Sequence, residues 1–208
     1  MTPGAATAAR IPPGTRRQVG LVTAAFARVA GLVQGTGPVQ LFLTLGRARK
    51  LFRGWLRFAG RLMPFGSLPR RDTELVILRT AHRAGCTYEF DHHVHLGRRA
   101  GVTAADVDRV VAGPDAPGWS DRERALLVAV DALVADGDLD DARWAALRQH
   151  LDEARAVELV LLVGHYVMLA TAIRTLRIQP DRPLRPRLRD RGRAGRRAGQ
   201  GRPVPRRG

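Results

Sequence analysis

RDTELVILRTAHRAGCTYEFDHH, residues 71–93, has an acid, Asp72, near its start and ends in a cluster of titratable side chains. Asp72 is expected to cap a helix running to about Arg83, which Gly85 ends or turns, and a second helix is expected from near Cys86 to Ala100. Helical periodicity continues on both sides. Upstream, Leu41, Phe42, Leu45, Leu51, Phe52, Trp55, Leu56, Phe58 and Leu62 recur at three and four, as two helices with a break near Gly46. A modest amphipathic helix over Val19 to Val33 precedes them. Downstream, Thr103-Ala-Ala-Asp106 and Ser120-Asp-Arg-Glu123 are capping boxes that open helices to Ala112 and about Ala135. Two more helices follow, from Asp140 to His150 and from Asp152 to about Arg177. No run of alternating β-branched residues with hairpin chemistry occurs, so the fold class is all-α.

The formal net charge of +16 is concentrated at the ends of the 208 residues. Residues 181–208 carry +9 and residues 1–20 carry +3, which leaves +4 for everything between. The expected organisation is a flexible arm over 1–18, a helical domain over 19–179 and a disordered Arg/Pro/Gly-rich tail over 180–208. No aromatic interleaves the tail arginines to stack on bases, so no specific nucleic-acid partner is expected. The single Cys86 excludes an intrachain disulfide framework. The longest apolar stretch, Ala156 to Ile173, contains Glu158, Gly164 and His165 and reads as a buried or subunit-facing helix rather than a membrane span. Thr15-Arg16-Arg17 before an apolar run mimics an export signal, but Arg28 interrupts that run and no small-residue cleavage site follows. A cytoplasmic location is the expectation.

The chemistry concentrates in the second helix of the quoted stretch. On an ideal helix Cys86, Glu89 and His93 fall within about 60° of one another, and Glu89 and His93 form an i,i+4 pair able to touch. A carboxylate–imidazole couple in an apolar hollow is suited to proton transfer. Glu74, one helix earlier, either meets the same pocket or pairs with Arg71. At a helix N-terminus the Cys86 thiol would acidify. A carboxylate at Glu89, about 6 Å away, opposes this by roughly 2–3 kcal/mol. Taken alone, Cys86 reads as a buried inert thiol and Tyr88 as packing. His92 points about 100° away from His93 as a second polar wall. His165 and Tyr166, inside the apolar helix, must find hydrogen-bond partners when buried. Glu89-x-x-His92 has the spacing of a di-iron carboxylate helix, but no second copy exists, so no metal and no cofactor are expected.

Glu74, eleven residues, Cys86-x-x-Glu89, three residues and His93 resemble the carboxymuconolactone decarboxylase-like superfamily, which includes the alkyl hydroperoxidase D proteins. The hydroperoxidase pattern has a second Cys where this chain has Glu89. The decarboxylase branch carries Glu-x-x-x-His, as Glu89 to His93 does. The stretch around Trp55 and the helix after Ser120 extend the resemblance over about residues 35–178. It implies an AhpD-like multi-helix protomer assembled as a homo-trimer or homo-hexamer, with pockets near subunit contacts and a small-molecule substrate. Dithiol chemistry is excluded by the missing Cys. The expected activity is therefore cofactor-free decarboxylation, or conversion of a lactone or small organic acid. In this reading His93 moves a proton, Glu89 orients it and Glu74 completes the pocket. The alternatives are a one-cysteine peroxidase using Cys86 and a non-catalytic oligomeric binding module.

Overall fold

Ten helices and no strand make up the described residues, 8–184, of the computed structural model. They are α1 (Arg16–Val19), α2 (Leu21–Gln34), α3 (Gln40–Leu45), α4 (Arg49–Leu62), α5 (Arg70–Arg83), α6 (Thr87–Arg99), α7 (Ala104–Ala112), α8 (Asp121–Ala135), α9 (Asp141–Arg148) and α10 (Glu153–Leu176). The capping signals act where expected. The Thr103 and Ser120 side chains accept from the N–H of Asp106 and Glu123, and Asp140 and Asp152 cap α9 and α10.

α5 is the centre of the protein. Every residue from Asp72 to Ala81 is buried, and α6, α8 and α10 pack around it, with α7 against one end. Val76 and Ile77 face an apolar cluster shared with α8, α9 and α10, while Leu75 and Leu78 face a second one with Val102, Val110, Trp119 and Leu127. Each large side chain so buried contributes about 1.5–3 kcal/mol. Because α5 is enclosed on all sides, its polar residues need partners inside the protein. Arg79 donates a fork to Asp131 at 2.7 and 2.6 Å and a third bond to the Val110 carbonyl. Asp72 is not the cap of α5 but its third residue. Pro69 precedes the helix, and Asp72 accepts from Arg122 at 2.8 Å.

α10 is long and apolar enough to cross a membrane, with a mean hydropathy of 1.9, yet half of that window is buried inside the protein. Leu159, Leu162, Val163, Tyr166, Leu169 and Ile173 face the core, whereas Val157, Leu161 and Met168 are about half exposed.

The expected boundaries shift at both ends. Residues 8–18 are not a detached arm: the Arg10 and Gly14 N–H groups donate to the carbonyls of Leu176 and Leu43, and α1 starts at Arg16. Gly20, at φ 86°, then separates α1 from α2. Residues 180–184 also belong to the domain. Asp181 accepts from the Gln40 N–H at 2.7 Å, and Pro183 bridges to Thr36. Polar side chains and backbone groups hold both segments, which apolar periodicity does not reveal. The rest of the expected arm and tail, 1–7 and 185–208, lies outside the described residues.

Candidate functional site

Two cavities flank the first turns of α6. One, of about 400 Å³, has walls from α2, α3, α4, α6, α10 and the loop between α4 and α5. Its surface is mainly apolar and aromatic, including Phe26, Leu41, Phe42, Trp55, Met63 and Leu169. Glu158 of α10 fixes that loop, accepting from the N–H groups of Ser67 and Leu68 at 2.7 and 3.1 Å. Into this hollow project Tyr88, Glu89, His92 and His93 from α6, and His165 and Tyr166 from α10. The i, i+1, i+4, i+5 spacing on α6 produces this grouping.

His93 is 3% exposed, and its Nδ1–H donates to Glu74 Oε2 at 2.7 Å. Glu74 is fully buried, and its Oε1 pairs with Arg70 at 2.7 Å outside hydrogen-bond alignment. Gly97 of α6 lies tightest against Val102, which a Cβ there would meet at 3.2 Å, and at ordinary contact distance, 3.6 Å, from the Cβ of Glu74. The carboxylate fixes the tautomer and orientation of the ring and leaves Nε2 for whatever enters the cavity. Tyr166 stands edge-on to His93, with ring centres 5.1 Å apart.

The expectation that Glu89 orients His93 is corrected. That role falls to Glu74, which pairs with Arg70 and not with Arg71. Arg71 instead bonds Asp106 and Glu123. Glu89 Oε2 is sealed with no partner, and burial pushes the carboxyl up to about 7, against a smaller opposing pull from His93. A carboxyl poised near neutral pH in an apolar hollow can both give and take a proton.

Cys86 does not share this cavity. It is the N-cap of α6, with φ −102° and ψ 88°, so its Cβ no longer points where a helical residue's would, as the angular reckoning assumed. Cys86 lines the second cavity instead, of about 640 Å³, and its thiol feels the charge of Arg174. The residue is 2% exposed, and burial pushes the thiol up despite the N–H groups of Glu89 and Tyr88. Acidification at the helix end, expected from sequence, is overridden by desolvation.

Tyr88 and His92 are stacked, with ring centres 6.1 Å apart and planes at 14°, and they line both cavities. Tyr88 is pinned by donating to Asp181 at 3.0 Å, and burial pushes its hydroxyl up. Burial also pushes His92 down to about 3. His165, expected to find a hydrogen-bond partner, has none at Nδ1, and burial pushes its ring down to about 4. Among the described residues the Tyr166 hydroxyl reaches only the Met63 sulfur, at 3.9 Å. Sequence reasoning passed over Trp55 as a site residue, although a Trp set between basic stretches of an amphipathic helix was a usable signal.

The pattern of the Carboxymuconolactone decarboxylase family matches residues 49–132, a span that holds α4 to α7 and most of α8. The uncharacterized protein YdfG of Bacillus subtilis (strain 168) is 27% identical over 100 residues, 47% of this chain and 68% of that protein. Among solved structures, an alkylhydroperoxidase AhpD core, an uncharacterized peroxidase-related protein from Ralstonia eutropha JMP134, superposes with a TM-score of 0.74 at 19% identity. That superposition covers 88% of this chain and all of that one. The debrominase Bmp8 in complex with 2,3,4-tribromopyrrole superposes with a TM-score of 0.71 at 18% identity, over 84% and 93% of the two chains. A putative antioxidant defence protein AhpD from Agrobacterium tumefaciens gives 0.60 at 23% identity, over 64% and 91%. The match over α5 and α6 coincides with the Glu74–His93 pair and the buried Glu89, and the helical architecture extends beyond it. Residues 49–132 thus match the Carboxymuconolactone decarboxylase family, and the chain has the AhpD-like fold.

Proposed function

We propose that this protein is a cofactor-free acid–base enzyme acting on a small organic molecule held in the 400 Å³ cavity. One observation carries the reading: Glu89 and His93 line the same mainly apolar cavity, while Cys86 lines another. His93 Nε2 and the Glu89 carboxyl are the two groups that move protons, and Glu74 holds the imidazole. Lactone opening or isomerisation, and quenching of an enolate after decarboxylation, share this requirement for a positioned donor and acceptor. A debrominase of this fold has been solved with 2,3,4-tribromopyrrole, which supports a planar ring as the kind of guest the fold accommodates.

The one-cysteine peroxidase reading fares worse on physical grounds. It needs a thiolate, and burial keeps Cys86 protonated. The proposal also includes a homo-oligomer, because Leu21, Val22 and Val29 of α2 and Val157, Leu161 and Met168 of α10 leave apolar surface for a neighbouring copy. It keeps a cytoplasmic location.

The test is a panel of lactones, ketones and β-keto acids in deuterium oxide, followed by NMR for conversion and for deuterium entering carbon. His93→Ala and Glu89→Gln are expected to lower the rate about 10²–10⁴-fold, and Cys86→Ser to leave it within a factor of two. Peroxide consumption that vanishes in Cys86→Ser would replace this reading with the peroxidase. Identical behaviour of all three variants would leave a binding module.

A further inference from the structure

The 400 Å³ cavity has a second polar pole, across Tyr166 from His93. The His165 ring stands edge-on to Tyr166 at 5.2 Å and lies flat against Trp55 at 5.9 Å and 16°, with Phe58 edge-on at 5.6 Å. The residue is 6% exposed, and it is neutral at physiological pH because of its burial. A neutral imidazole has one N–H to place. On the sealed Nδ1 that N–H would be buried without an acceptor; Nε2, which is not sealed, can give it to the contents of the cavity. Trp55 Nε1 is likewise sealed and unpartnered, so this corner is short of acceptors.

The charges of the lining point the same way. Among the described residues no lysine or arginine faces this cavity, and its one acid is Glu89. The other polar liners, Gln34, Tyr88 and His92, sit on the wall shared with the second cavity. A guest carboxylate would lose its water with no cation to replace it, and would meet Glu89 when that group is ionised. A neutral carbonyl oxygen meets neither penalty and can accept the one N–H this corner offers, that of His165 Nε2.

We infer that His165 is a positioning residue whose Nε2–H orients an uncharged, ring-sized carbonyl compound, and that the cavity rejects carboxylates. This rests on the proposed acid–base site and narrows its substrates from organic acids to neutral carbonyl compounds. Tyr166 separates the two poles, so a guest bonded to His165 spans the cavity toward Glu89 and His93.

Three probes of one shape test this: 1-indanone, indane and indane-1-carboxylate, with binding measured calorimetrically on the full chain. The expected order is 1-indanone about tenfold tighter than indane, with indane-1-carboxylate weakest. His165→Phe, which keeps a flat ring, is expected to erase the preference for 1-indanone while leaving indane unchanged. His165→Gln, which restores an N–H donor, is expected to recover part of it. A tightest-binding carboxylate, no binding of any probe, or equal weakening of all probes in His165→Phe would overturn the inference. His93→Ala is expected to keep the binding order and lose deuterium exchange. Exchange that survives this change would remove the acid–base reading while leaving the binding inference standing.

Discussion

Replacing Glu89 by Gln should make the protein more stable, and more so as the pH rises. The Glu89 carboxyl, ordinarily near 4.5, is pushed up to about 7 by burial. Below pH 4.5 it is protonated in both folded and unfolded chains and costs nothing. Between 4.5 and 7 the unfolded chain releases the proton and the folded chain keeps it, so the folded state loses stability with rising pH. Above 7 the full cost is present. At 1.36 kcal/mol per pH unit, that gap corresponds to roughly 3 kcal/mol. The amide of the Glu89→Gln variant would carry no such burden and has nearly the same volume. Urea unfolding of both proteins at about pH 4 and pH 8, at one protein concentration, measures the double difference, which should appear as a midpoint shift of about 1 M. A stability gap independent of pH, or one that narrows toward the alkaline end, would refute the reasoning and with it the poised carboxyl. The same variant should be the less active one, as a site that stores instability for function requires.

Other consequences can be checked independently. Arg79→Met should cost about 1–3 kcal/mol in urea unfolding by removing the fork to Asp131, which keeps its 3.5 Å pairing with Arg83, and adding Asp131→Leu should recover part of the loss. Arg71, aided by Thr103 and Arg109, holds the Asp106 carboxyl far below its ordinary 3.8, so its stabilisation is complete above that pH and fades as acid is added. Asp106→Asn should therefore cost about 1–3 kcal/mol at about pH 7 and less at about pH 3, as read from denaturation at the two values. Cys86 should resist iodoacetamide at about pH 7.5, labelling more than roughly tenfold slower than a free thiol by mass spectrometry until urea unfolds the chain.

The all-α class and the helix starts at Ala104, Asp121, Asp141 and Glu153 were legible because they rest on local rules. Apolar periodicity and a short polar cap act within one or two turns. That Glu89 and His93 share a face was legible for a related reason, since four residues along a helix is about one turn, whereas Glu74, on α5, came in only through the family spacing. Cys86 was misplaced because it sits one residue before α6, where the helical geometry used to aim it no longer holds. The exchange of roles between Glu74 and Glu89 could not be read at all. It depends on how α5 and α6 pack against each other, and on which carboxylate that packing brings to the imidazole.

Residue order along the chain thus determined which segments wind into helices and which side chains share a helix face, because those outcomes depend on neighbours within a few positions. The tertiary structure alone decided that a carboxyl is left unpaired near neutrality, that His165 keeps a sealed nitrogen, and that thiol and imidazole open onto different spaces. Desolvation and hydrogen-bond supply decide those features, and both are set by helices far apart in sequence.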